Sequence, residues 1–293
     1  MSINRRNFLK VSAITAGTLL GSSKKVSAET GKNSFAETYS MLNDCTKCIG
    51  CRACQSACKE YKEFENTGKN EKYDMPLELN ANNNTVIKLY KEEKEKSFIK
   101  RQCMHCNDPG CVSACPVSAL IKQDNGIVTY DKDKCIGCRY CMIACPFDVP
   151  TFEYDKAFPV ISKCDFCKDL LAKGSVTECS RVCPTGAIVF GTREEMLKEA
   201  QRRIKADPDK YVNHIYGEKE AGGTSVLYLS AVPFEKLGMA TLDTEPLPDM
   251  AESIQHGIFK YFIPPVALYG ALGIYSLISK KKDSGDNPES GEG

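Results

Sequence analysis

Cys135-Ile136-Gly137-Cys138-Arg139-Tyr140-Cys141-Met142-Ile143-Ala144-Cys145-Pro146 is the stretch whose spacing decides the fold. Its four cysteines follow C-x2-C-x2-C-x3-C and end in Pro, a spacing suited to iron–sulfur ligation. Three cysteines on so tight a loop reach three irons of one 4Fe–4S cube. The fourth opens a short helix that points away, toward a second cube. Gly137 lets the loop wrap closely because it has no Cβ, and Pro146 fixes φ where the chain leaves.

Working outward, the same design occurs four times. The first group is Cys48, Cys51, Cys54 and Cys58. The second is Cys103, Cys106, Cys111 and Cys115, followed by Pro116. The run just quoted is the third, and the fourth is Cys164, Cys167, Cys179 and Cys183, followed by Pro184. Groups one and three keep the bacterial ferredoxin spacing; groups two and four stretch the gap before the third cysteine and keep x3 after it. Sixteen of the 17 cysteines are absorbed. Disulfides are a poor alternative, because neighbouring loop cysteines would need distant partners without scrambling. Zinc ribbons use C-x2-C pairs rather than four-cysteine runs. Cys45 is read as a bystander: in a register starting there, the x3 position is Gln55. His105, between Cys103 and Cys106, is read as a packing or surface residue that could hydrogen-bond near a cluster. No C-x-x-C-H haem site, phosphate-binding glycine loop or nucleophile triad occurs.

Between the motifs, Ala119–Lys122 and Ile127–Tyr130 flank Asn125-Gly126 and predict a hairpin. Thr85–Tyr90 and Ala187–Phe190 read as strands, and residues 60–84 as an inserted loop. Thr192-Arg-Glu-Glu195 is a capping-box start for a helix Arg193–Ala206, stopped by Asp207-Pro208. Ala221–Thr224 reads as a turn and Ser225–Ser230 as an apolar strand of an extension that wraps the cluster core. Lys47, Arg52, Lys59, Arg101, Lys134, Arg139, Lys163, Lys168 and Arg181 punctuate the loops. Some are solvated surface. Arg52 and Arg139, at equivalent loop positions, are the best candidates to tune an anionic cluster.

The two ends read as an address and an anchor. Asn4-Arg5-Arg6-Asn7-Phe8-Leu9-Lys10, a weakly apolar Val11–Leu20 and Val26-Ser27-Ala28 form a signal peptide over 1–28, similar to a twin-arginine leader. Taking its five basic residues from 39 leaves 34 against 38 acidic ones, a balance of −4. That is no footprint for nucleic acid. The apolar run Ile258–Ile278, about 31 Å as a helix, predicts a transmembrane helix over 257–279. Lys280, Lys281 and Lys282 place a disordered tail, 280–293, on the cytoplasmic side.

The four groups resemble the four-cluster ferredoxin-type subunits of complex iron–sulfur oxidoreductases. Within that family the chain is similar to the iron–sulfur subunits of hydrogenase-2-type membrane-bound nickel–iron hydrogenases. Its leader, Gly191–Glu195, the stretch Ile215–Leu227, and Glu252–His256 before one membrane helix carry that likeness. The resemblance implies an α+β fold: two ferredoxin-like 4Fe–4S dicluster modules (29–192), a C-terminal extension (193–256) and one transmembrane helix. It implies four 4Fe–4S clusters. One takes Cys48, Cys51, Cys54 and Cys183; the next takes Cys58, Cys164, Cys167 and Cys179. A third takes Cys103, Cys106, Cys111 and Cys145; the last takes Cys115, Cys135, Cys138 and Cys141. It further implies an electron-transfer subunit with no catalytic centre. Its expected partners are hydrogenase catalytic subunits, a quinone-binding integral membrane subunit and the twin-arginine export machinery. Its expected place is the periplasmic face of the membrane. A formate dehydrogenase or sulfur-compound reductase is the alternative setting; a non-redox zinc or disulfide protein is the alternative of another class.

Overall fold

The computed structural model describes residues 37–64, 78–92, 95–154, 160–248, 269, 270, 272 and 273. The leader 1–28 and nearly all of the membrane span 257–279 lie outside these. So do 65–77 of the inserted loop; of the remainder, helix takes residues 60 and 61. Among the described residues no helix is long and apolar enough to cross a membrane.

The chain opens with β1 (Tyr39–Asp44), the middle strand of a three-stranded sheet. On one side lies β8 (Ile188–Thr192), antiparallel, with Met41 opposite Phe190. On the other lies β9 (Val226–Leu229), parallel, with Met41 opposite Val226. Side chains alternate across a strand, and both faces here are covered. Met41, Val226 and Tyr228 face the cysteine-bearing core. Leu42, Leu227 and Leu229 face Met196 and Ala200 of α6 (Arg193–Ala206). The predicted helix bounds and its capping box are both found: Thr192 Oγ1 accepts from the Glu195 N–H, and the Thr192 N–H donates to Glu195 Oε2 at 2.8 Å. The 225–230 segment is thus the parallel third strand of the main sheet.

Four short helices leave the cysteine loops and pack as two pairs. α1 (Ala53–Tyr61) packs on α5 (Glu178–Arg181), joining groups one and four. α2 (Gly110–Ser113) packs on α3 (Tyr140–Ile143), joining groups two and three. The predicted hairpin is β4 (Leu120–Lys122) with β5 (Val128–Tyr130). A second hairpin pairs β2 (Val86–Glu92) with β3 (Glu95–Arg101); the sequence signalled only its first strand. It is tied to α1 where the Ile87 N–H donates to Gln55 Oε1 at 2.8 Å. A two-residue pair, β6 (Thr151–Phe152) and β7 (Ile161–Ser162), and α4 (Lys168–Leu171) complete the core.

Candidate metal centres

In all four C-x2-C loops the residue before the second cysteine takes a left-handed conformation. Gly50 has φ +71° and Gly137 has φ +70°. The sequence suggested glycine as the means of wrapping these loops. The inner loops instead place His105 (φ +47°) and Phe166 (φ +55°) there. Those two rings stack with centroids 4.0 Å apart, so the second and fourth groups touch through them. His105 is 1 % exposed, and its Nδ1 accepts the Val128 N–H at 3.0 Å. Burial, then Lys163, Lys122 and Lys100, hold its pKa well below the ordinary imidazole value. It is a neutral packing residue carrying its proton on Nε2.

The outer groups surround discrete hollows. Cys48, Cys51, Cys54 and Cys183 line an open hollow of about 450 Å³. Cys115, Cys135, Cys138 and Cys141 line a second of about 300 Å³. Each hollow opens at the surface beside an exposed cysteine, Cys51 in one and Cys138 in the other. The inner groups are buried among one another. Burial pushes Cys167 up to about 12, with Cys179 and Cys58 adding to it. It pushes Cys58 up to about 11, again with Cys179 close by. Cys111 is pushed up to about 12 by burial and then by Cys103 and Cys145. Burial likewise raises Cys106, with Cys103, Cys145 and Cys111 around it.

With the cysteines sorted as the resemblance implies, the same electrostatic contacts run from each nest to the next. Cys54 of the first feels Cys179 of the second. Cys164 of the second feels Cys103 of the third. Cys111 of the third feels Cys141 of the fourth.

This donor set fits a multinuclear cage. None of the seventeen cysteines is disulfide-bonded. Among the described residues no three Cys, His, Asp or Glu side chains converge as ligands of a single ion would; the thiols stand around hollows instead. Burial raises Cys58, Cys106, Cys111, Cys145, Cys164 and Cys167 and keeps them protonated at neutral pH, so iron binding must displace those protons. Cys183 differs. Against the burial that would raise it, N–H groups of Ile188, Thr185 and Ala187 and the Thr185 hydroxyl hold it below the ordinary thiol value.

Cys45 is 5 % exposed and lines the first hollow beside the expected four. Burial, then Cys48 and Asp44, raise its thiol and keep it protonated. Arg52 and Arg139 are paired in backbone shape, with φ 61° and 63°. Arg52 lines the first hollow and Arg139 the second, where its guanidinium lies 4.7 Å from the Phe152 ring centre and 5.1 Å from that of Tyr154. Three lysines also stand among the cysteines, Lys163 and Lys100 buried and Lys122 half-buried. Lys163 donates to Val128 O (2.5 Å) and Cys164 O (2.7 Å), with Cys103 Sγ at 3.9 Å. Lys122 donates to Cys106 O at 2.6 Å and Gly126 O at 2.8 Å. Lys100, 3 % exposed, is the third. Lys100 and Lys122 escaped the sequence reading because each stands in a strand, away from a cysteine loop.

Interleaved pairs of short helices, four-cysteine nests and buried cations between them define a class: proteins built from paired 4Fe–4S modules. Comparison bears this out. Models described as "4Fe-4S dicluster domain" match residues 47–119 and 94–193. The chain is 38 % identical to the hydrogenase-2 operon protein HybA of Escherichia coli, over 98 % of this chain and 100 % of that one. It is 33 % identical to the iron–sulfur subunit of the nitrate-inducible formate dehydrogenase of Escherichia coli, over 94 % and 92 %. With the formate dehydrogenase-O iron–sulfur subunit of the same species it shares 39 % identity over 67 % of each chain. The chain belongs to this family of 4Fe–4S dicluster iron–sulfur subunits. It is a non-catalytic electron-transfer subunit of an oxidoreductase complex, and its cofactors are four 4Fe–4S clusters.

Proposed function

We propose that this chain relays electrons between a periplasmic hydrogenase catalytic unit and a quinone-reactive membrane subunit. The observation that carries the reading is the line of nests, buried in the middle and open to the surface at both ends. The cluster sets are those named above: Cys48, Cys51, Cys54 with Cys183; Cys58, Cys164, Cys167 with Cys179; Cys103, Cys106, Cys111 with Cys145; Cys115 with Cys135, Cys138, Cys141. When bound, each cluster supplies a site that takes up and gives back one electron. The chain's own residues hold the irons, keep the inner sites dry and compensate their charge.

The full-length likeness to HybA supports the hydrogenase setting. The leader 1–28 supports export by the twin-arginine route, and the apolar run within 257–279 a single-pass anchor with 280–293 in the cytoplasm. Leu247, near the end of the described fold, packs at Gly110 of α2, on the side of the third and fourth nests. Residues 247 and 248 thus lie beside that module. The fourth nest is ringed by exposed apolar side chains: Ile136 is 64 %, Tyr140 58 % and Ile143 84 % exposed. In this reading that end meets the membrane subunit and the Cys51 end meets the catalytic unit. The two formate dehydrogenase relatives support a second reading, with the same relay serving a formate-oxidising catalytic subunit.

Purification of the native complex from membranes, with metal and sulfide analysis, tests both. About sixteen irons and sixteen acid-labile sulfides per chain are expected for four cubes. Copurifying nickel supports the first reading and molybdenum the second; zinc without sulfide would sink both.

A further inference from the structure

Lys100 is a buried cation without an oxygen partner. Among the described residues its ammonium reaches only Met41 Sδ, at 3.9 Å. Lys163 and Lys122, by contrast, are satisfied by backbone carbonyls. A buried ammonium needs compensation from an opposite charge. Two contacts show where it can find one. The Lys100 side chain lines the first hollow with Cys48, Cys51, Cys54 and Cys183. The Met41 sulfur it touches also lies 3.9 Å from Cys179 Sγ, in the second nest.

We propose that Lys100 is the shared counter-cation of the first and second clusters and raises the reduction potential of both. The inference rests on the cysteine sets proposed above. Lys100 is a positioning residue: it holds charge beside the electron's path. When one electron from a reductant enters either site, no bond breaks and no proton moves. The site gains one negative charge, and the fixed ammonium stabilises it in surroundings too dry to screen it.

The test is a dithionite titration of the native complex, followed by low-temperature paramagnetic resonance, in wild type, Lys100→Met and Lys100→Arg. In Lys100→Met the reduction equilibrium of two clusters should fall about tenfold, roughly 59 mV for a one-electron couple. The other two should stay in place, and Lys100→Arg should return the first pair to near wild type. Four unmoved potentials, or four that move together, would overturn the assignment. Labelling wild type and Lys100→Met with 15N-lysine gives a second readout. A nitrogen coupling in two cluster signals that Lys100→Met loses supports the proposal, and couplings unchanged in either of the two overturn it. Iron or sulfide well below about sixteen per chain would instead point to failure of the four-cluster reading.

Discussion

Gly50 occupies a position that no side chain can share. Its φ is +71°, and an added Cβ would fall 2.4 Å from Phe98 Cε1. Left-handed strain at a non-glycine residue costs about 1–3 kcal/mol, and displacing the ring adds to it. Gly50→Ala should therefore loosen the first loop and lower iron content by about one cube in four, as read by iron and sulfide analysis beside a thermal melt. Retention of full iron with an unchanged melt would contradict this. His105 and Phe166 accept the same backbone shape because their stacked rings support each other across two nests. The spacing of cysteines is visible in sequence; which residue tolerates φ > 0 beside them is decided by what lies opposite.

At the scale of elements, α6 was legible to the residue because its signals are local: a capping box and a closing Asp-Pro. The β4–β5 hairpin was legible through Asn-Gly. β1 was not, since Tyr39–Asp44 is short and covered on both faces, so it shows no alternation. β3 carries four charges in seven residues and reads as surface, yet Lys100 within it is buried. Pairing of group one with four and two with three is set by helix packing, which no spacing reports. One anchor between elements joins α6 to β1. Arg203 Nη1 meets Asp44 Oδ2 at 2.9 Å, with side chains 7 % and 0 % exposed, and the Tyr211 hydroxyl donates to the same oxygen at 3.0 Å. Breaking such a pair from one side costs about 3–5 kcal/mol. Arg203→Met should lower the urea midpoint accordingly, and adding Asp44→Asn should recover part of the loss. A single variant as stable as wild type would remove this anchor from the account.

At the scale of the molecule, a patch of three exposed apolar side chains, Ile136, Tyr140 and Ile143, marks the fourth nest, where the first hollow has Ile49. Charging it should separate docking from assembly. Ile143→Asp, at a side chain 84 % exposed, should leave iron content and melting unchanged. It should raise the fraction of chain lost from the membrane partner on detergent extraction about tenfold, the scale of a 1.4 kcal/mol loss in binding. Equal retention of variant and wild type would move the interface elsewhere.

The position of β1 between β8 and β9 has one more consequence. Both neighbours of the first strand come more than a hundred residues after it, and Cys183 comes just before them. A polypeptide emerging from the ribosome therefore displays Cys48, Cys51 and Cys54 before the fourth thiol of their hollow, Cys183, has been made. The first site can close only once residue 183 has been added, and any truncation before it strands an open thiol loop.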